Sequence, residues 1–150
     1  MNKKSNDLVK NRKAFHDYHI DETFEAGIAL LGSEVKSLRE GGGSISEGYV
    51  KILQNEVFLV GCYIAPYSHV GAIGHEERRD RKLLLHKREI EKLKKSTREK
   101  GLTIVPLALY LIRGRVKVKI GIARGKKAHD KRSDIKERDA KRDIARQLKT

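Results

Sequence analysis

The chain of 150 residues has no tryptophan, one cysteine, one methionine and two prolines, and its Phe and Tyr residues make up only 5% of it. A single cysteine, Cys62, rules out an internal disulfide. Set in the apolar run Val57–Ile64, it reads as a small buried core residue and fits a reducing cytoplasm. No run approaches the ~18 apolar residues of a membrane span. No apolar stretch follows the first charges, so no signal peptide is expected. With so few aromatics, a single-strand binder that stacks successive bases is disfavoured. Most of the aromatics lie in β-rich runs and are expected in the core.

Catalytic signatures are also missing. His16, His19, His69, His75, His86 and His129 are dispersed, without the three- or four-ligand spacing of a metal site. Gly121 and Gly125 stand too close for a phosphate-binding loop, and no Ser or Thr follows Lys126-Lys127. There is no nucleophile elbow, no HExxH and no cluster of carboxylates to hold two metals. The expectation is a non-enzymatic protein with no metal and no cofactor.

What the chain does have is positive charge, +14 in all. Residues 1–13 carry a net +4 and residues 124–150 a net +6, leaving +4 on the 110 residues between them. Basic ends on a nearly balanced body point to a polyanion, because phosphate contacts release counterions. Neither end has the broad apolar face that a membrane surface would take up, so no membrane partner is expected.

The middle reads as mainly β. Tyr18–Leu31 alternates apolar and polar residues, Ser33 can cap a short helix over Glu34–Arg39, and the Gly41-Gly42-Gly43 triplet ends it. Tyr49–Leu53 and Val57–Ile64 form one hairpin, and Thr103–Ile112 with Arg115–Ala123 form another across Arg113-Gly114. Ser68–Asp80 reads as a loop, and Leu83-Leu84-Leu85 begins or precedes a helix over His86–Lys95. Strands separated by turns, with two or three short helices, predict a small antiparallel OB-like β-barrel. The expected organisation is a flexible basic N-terminus over 1–12, the barrel over 13–124, and a basic C-terminal tail over 125–150. The tail's pairs Asp134–Arg138 and Glu137–Lys141 favour a helix, but its apolar stripe is thin. It is expected to be unfolded alone and helical on its target.

Two body segments concentrate cations. In Val116–Ala123, Lys117 and Lys119 share one face, with Arg113, Arg115 and Arg124 continuing the basic region. Arg78-Arg79-Asp80-Arg81-Lys82 places four cations in five residues, and guanidinium groups match phosphate oxygens. Each admits a plainer reading as a solvated face. His129, flanked by cations, is a candidate to stack on a base or a simple linker residue. Composition favours shape and phosphate recognition of a folded RNA, and leaves open a structural ribosomal protein whose tail threads rRNA.

Five segments go further. Asn11–Tyr18 (NRKAFHDY), Phe24–Ile28 (FEAGI), Gly32–Arg39 (GSEVKSLR), Arg81–Leu85 (RKLLL) and Gly125–Arg132 (GKKAHDKR) closely resemble, in order and spacing, the SsrA-binding protein family (small protein B, SmpB). The resemblance implies an OB-like barrel with flanking helices and a flexible tail, working in the cytoplasm. It implies an adaptor of trans-translation that binds the tRNA-like domain of tmRNA (SsrA RNA) and brings it to ribosomes stalled on non-stop mRNA. The tail would occupy the empty mRNA channel near the decoding centre. Carried over by motif, Glu25, Leu84 and Lys117 look like RNA-side positions, Leu84 reading equally well as a core residue, and Arg81, Lys82, Arg115 and Lys119 are expected to join them. Gly125, Lys126, Lys127, His129, Asp130, Lys131 and Arg132 would address the ribosome. One copy per tmRNA, as a monomer, is expected. The loop Gly41–Ser44 is richer in glycine than the family pattern, so no contact is assigned there.

Overall fold

A computed structural model describes residues 7–66 and 75–126. Along the chain run β1 (Asp7–Lys10), α1 (Arg12–Asp17), β2 (Tyr18–Ile28), α2 (Gly32–Arg39), β3 (Gly43–Ser44), β4 (Tyr49–Leu53) and β5 (Glu56–Val60). Then follow β6 (Tyr63–Ile64), β7 (Arg81–Leu84), α3 (Lys87–Glu99), β8 (Thr103–Ile112) and β9 (Arg115–Gly125). Seven strands form one sheet in the order β1-β8-β9-β2-β7-β5-β4, and β3 pairs with β6 separately. Each described pairing is antiparallel.

The two predicted hairpins form across two-residue turns, but the expected strand Val57–Ile64 breaks at Gly61 (φ 79°), so that Tyr63–Ile64 pairs with β3 instead. Gln54 and Asn55 sit at φ 46° and 69°, and Arg113 and Gly114 at 51° and 78°, the left-handed pair that matches strand twist. Those turns fix the registers Leu53↔Glu56 and Ile112↔Arg115. With register fixed, alternate residues face inward. Val116, Val118, Ile120 and Ile122 of β9 meet Phe24 and Ala26 of β2, and Leu38 of α2 and Leu93 of α3 close over them. A second, small cluster lies on the far side of the sheet, where Ala14 of α1 covers Val105, Leu107 and Ala123. A bulge between Pro106 and Ala108 serves both clusters. It accommodates a proline in an internal strand and turns Leu107 toward α1.

The fold is mainly β and antiparallel with three short helices, as the sequence predicts. The barrel differs in one respect. β4 packs against β8, but the hydrogen-bonded order ends at β1 and at β4, so the barrel is open rather than closed.

Three other expectations are corrected. The flexible N-terminus over 1–12 is too long, because Asp7–Lys10 forms an edge strand on β8. Asn11, only 3% exposed, then locks the chain to the body. Its Nδ2 donates to the Pro106 carbonyl at 2.8 Å, and its Oδ1 accepts from the Ala14 amide at 3.1 Å, capping α1. Leu83-Leu84-Leu85 precedes the helix instead of beginning it, since Arg81–Leu84 is a strand, and α3 begins at Lys87 and runs on to Glu99. Finally, Leu31 rather than Ser33 caps α2. The Leu31 amide donates to Glu34 Oε1 at 2.8 Å, while the Ser33 hydroxyl hydrogen-bonds His75 Nδ1 at 2.9 Å.

Candidate nucleic-acid interface

Alternation along β9 and β2 sends one set of side chains into the core and leaves the other on the outer face of the sheet. Register then places those outer residues side by side. Tyr110, Lys117, Gly27 and Leu84 form one row across β8, β9, β2 and β7. Ala108, Lys119 and Glu25 form the adjacent row. Lys82 lies on the same face of β7 as Leu84, opposite Phe58. Arg115 extends the β9 row at the exposed end of the hairpin.

Gly27 sits where a larger residue would collide. A Cβ there would stand 3.2 Å from the Cβ of Leu84. The absent side chain lets Leu84 lie across β2, yet Leu84 remains 57% exposed. It is therefore an exposed apolar side chain on the outer face rather than a core residue.

Glu25 accepts a hydrogen bond from the Tyr110 hydroxyl at 2.7 Å. Burial, and then the neighbouring Glu25 carboxylate, push the Tyr110 phenol above its ordinary pKa, so the phenol stays protonated and donating at neutral pH. The carboxylate is thus held in place on the strand position opposite Lys119. Beside it opens a groove of about 660 Å³, lined among others by Lys10, Arg12, Phe15, Tyr110 and Lys119. Phe15 is 55% exposed at its edge. Cations for phosphates, a fixed acceptor for base or ribose donors, and exposed apolar surface for a base or sugar face suit folded RNA better than bare phosphate.

Most of the predicted RNA-side residues converge here: Glu25, Leu84, Lys117, Lys119, Lys82 and Arg115. Lys82 also pairs with Glu56 at 3.6 Å. Arg81 is a correction. It is fully buried, and its Nε donates to Glu34 Oε2 at 2.6 Å. Its Nη1 donates to the carbonyls of Cys62 and Arg79, and its Nη2 to that of Glu77, each at 3.1 Å. Every branch of the guanidinium is committed to the fold, so Arg81 has nothing to offer a phosphate. Arg79 joins the same carboxylate. Burial alone would raise the Glu34 pKa, but Arg79, the Leu31 amide and Arg81 together hold it below the usual carboxylate value.

The aromatics are a second correction. Among the described ones only Phe24 is buried, and Phe15 and Tyr49 stand exposed. Tyr63 lies under Arg78, whose guanidinium carbon is 5.5 Å from the ring centroid. Cys62 is buried as expected, and loss of solvent pushes its thiol up to about 12. Of the tail positions, Gly125 ends β9 and Lys126 follows it, whereas Lys127, His129, Asp130, Lys131 and Arg132 lie outside the described residues. So do Ser68 to Gly74 of the expected loop.

Sequence reasoning missed Tyr110 and the groove residues Lys10, Arg12 and Phe15. Tyr110 had a usable signal. Ala108, Tyr110 and Ile112 alternate outward in the strand that pairs with β9. The groove had none, since it depends on where α1 docks. Among the described residues no group of three His, Cys, Asp or Glu side chains is placed to hold a metal ion.

Comparison with known proteins gives a consistent answer. The family described as "SmpB protein" matches residues 8–150. The chain belongs to the SmpB family. An SsrA-binding protein of Protochlamydia amoebophila is 56% identical over 149 residues, covering 99% of this chain and 97% of that protein. One from Staphylococcus saprophyticus is 52% identical over 142 residues, covering 95% and 92%. In solved structures, a chain from "tmRNA-SmpB: a journey to the center of the bacterial ribosome" superposes with a TM-score of 0.67 at 50% identity. That superposition covers 79% of this chain and 84% of the other. The family match thus extends from β1, through the outer sheet face, to the last residue.

Proposed function

We propose that this protein is the tmRNA-binding adaptor of trans-translation. In this reading the outer sheet face holds the tRNA-like domain of tmRNA. Glu25, fixed by Tyr110, accepts from a base or ribose, Lys117, Lys119, Lys82 and Arg115 meet phosphates, and Leu84 packs on a sugar or base. The tail, from Lys127 through Arg132 and onward, occupies the empty mRNA channel of a ribosome stalled on a message without a stop codon. One protein serves one tmRNA in the cytoplasm, and the protein itself performs no covalent chemistry. The reading is supported by relatives named as SsrA-binding proteins that match nearly the whole chain, and by a similar structure described together with tmRNA and the bacterial ribosome.

The observation that carries the reading on this chain is the Tyr110–Glu25 hydrogen bond set in a cationic, partly apolar face. A purely phosphate-binding surface has no use for a carboxylate held ready to accept. The experiment is to sequence the RNA that copurifies with the protein at moderate salt. One dominant species with a tRNA-like end is expected. Recovery of rRNA at one protein per ribosome after a high-salt wash would overturn the reading.

A further inference from the structure

The far end of β9 carries an arrangement that RNA binding by the sheet face does not require. The core of β9 ends at Ala123, yet the strand continues, paired with β2 through His19↔Arg124 and Tyr18↔Gly125. At this end β2 bulges: Ile20 opposes Ala123 and Glu22 opposes Ile122, leaving Asp21 as the extra residue. A bulge re-aims the side chain it releases. Here Asp21 meets Arg124, whose Nη2 donates to both carboxylate oxygens at 3.0 Å.

The next residue is also held. The Lys126 amide donates to the Asp17 carbonyl at 2.9 Å, and its Nζ donates to the Phe15 carbonyl at 3.2 Å. Both acceptors belong to the last turn of α1, where helical carbonyls have no partner within the helix and a cation is favoured. α1 is itself fixed, through the buried Asn11 cap and Ala14 in the second core cluster.

We propose that Asp21, with the C-terminal end of α1, is a positioning clamp on Arg124 and Lys126. It sets the place and direction in which the chain leaves the body toward residue 127. This rests on the adaptor reading above, in which one surface holds tmRNA while the following segment must reach a second site at a fixed offset. The basic tail expected from Gly125 therefore begins, in mechanical terms, after Lys126. Asp21 is a positioning residue and touches no RNA. An exposed ion pair of this kind adds little to overall stability, so the bulge that creates it serves geometry rather than folding.

The test uses the full-length protein with Asp21→Ala, and with the double exchange Asp21→Arg, Arg124→Asp. Three quantities are read: hydrogen exchange of the Lys126 amide, affinity for tmRNA, and the rate of peptide tagging on ribosomes stalled on a non-stop message. For Asp21→Ala, exchange should quicken about threefold to fivefold and tagging should fall by a similar factor, with tmRNA affinity within about twofold. The double exchange should restore both. Unchanged exchange would refute the clamp, and faster exchange with normal tagging would refute its positioning role. Wild-type protein that bound tmRNA but did not tag would sink the adaptor reading instead, and the exchange arm would still decide whether the clamp exists.

Discussion

At Glu34 two guanidinium groups and a backbone amide hold a carboxylate that has lost its water. Glu34→Ala would leave Arg81 buried and unpaired, which costs on the order of 3–5 kcal/mol, a large share of an ordinary domain's stability. Thermal denaturation should show the drop, and Glu34→Leu combined with Arg81→Leu should lose much less than either single change. The pH dependence has a definite sign. The folded carboxyl titrates below its unfolded value of 4.5, so its stabilisation is complete above that pH and is lost as pH falls through the folded pKa. Urea midpoints should therefore drop below about pH 4.5, and that acid-limb step should vanish in the Glu34→Leu, Arg81→Leu variant. Cys62 offers a simpler check. Buried and with its thiol raised to about 12, it should resist iodoacetamide at pH 8 while the protein is folded and react on unfolding. Prompt labelling of the native protein would contradict its placement. On the outer face, Tyr110→Phe frees the Glu25 carboxylate from its donor. It should weaken tmRNA binding several-fold, while Lys117→Ala should weaken it and lower the salt slope by about one.

Elements were legible in the sequence where local rules and tertiary demand agreed. The β8–β9 and β4–β5 hairpins follow from Arg113-Gly114 and Gln54-Asn55, and the outward aim of Lys117 and Lys119 follows from period two. β7 was hidden because Leu83-Leu84-Leu85 breaks alternation, since Leu84 points outward beside Gly27 instead of a polar residue. Arg81 looked like one more surface cation. Its burial is decided by Glu34, 47 residues away, and nothing local records that. β1 reads as polar because it is a half-buried edge strand, and α1 is too short for a helical period. The structure makes β1 and Asn11 integral, so Asn11→Ala should cost about 1–3 kcal/mol by loss of the cap and of the bond to Pro106. A denaturation midpoint equal to that of the unaltered chain would contradict this anchoring.

Across the whole molecule, a curled sheet separates two tasks in the proposed reading. Its core side is closed by α2 and α3, its outer side carries the row from Tyr110 to Leu84, and β9 ends clamped to α1 where the remaining basic chain begins. The charge distribution matches that division, with +6 on residues 124–150 and only +4 on the 110-residue middle. Most of the tail's charge should then be dispensable for holding tmRNA and indispensable for using it. The most direct measurement compares tmRNA affinity of a chain ending at Lys126 with that of full-length Lys117→Ala, Lys119→Ala, with tagging measured alongside. The shortened chain should bind tmRNA within about threefold of full length and tag nothing. The double lysine variant should lose about tenfold or more in affinity. Equal loss of affinity from removing the tail, or none from neutralising the two lysines, would contradict the assignment of tmRNA to the outer sheet face.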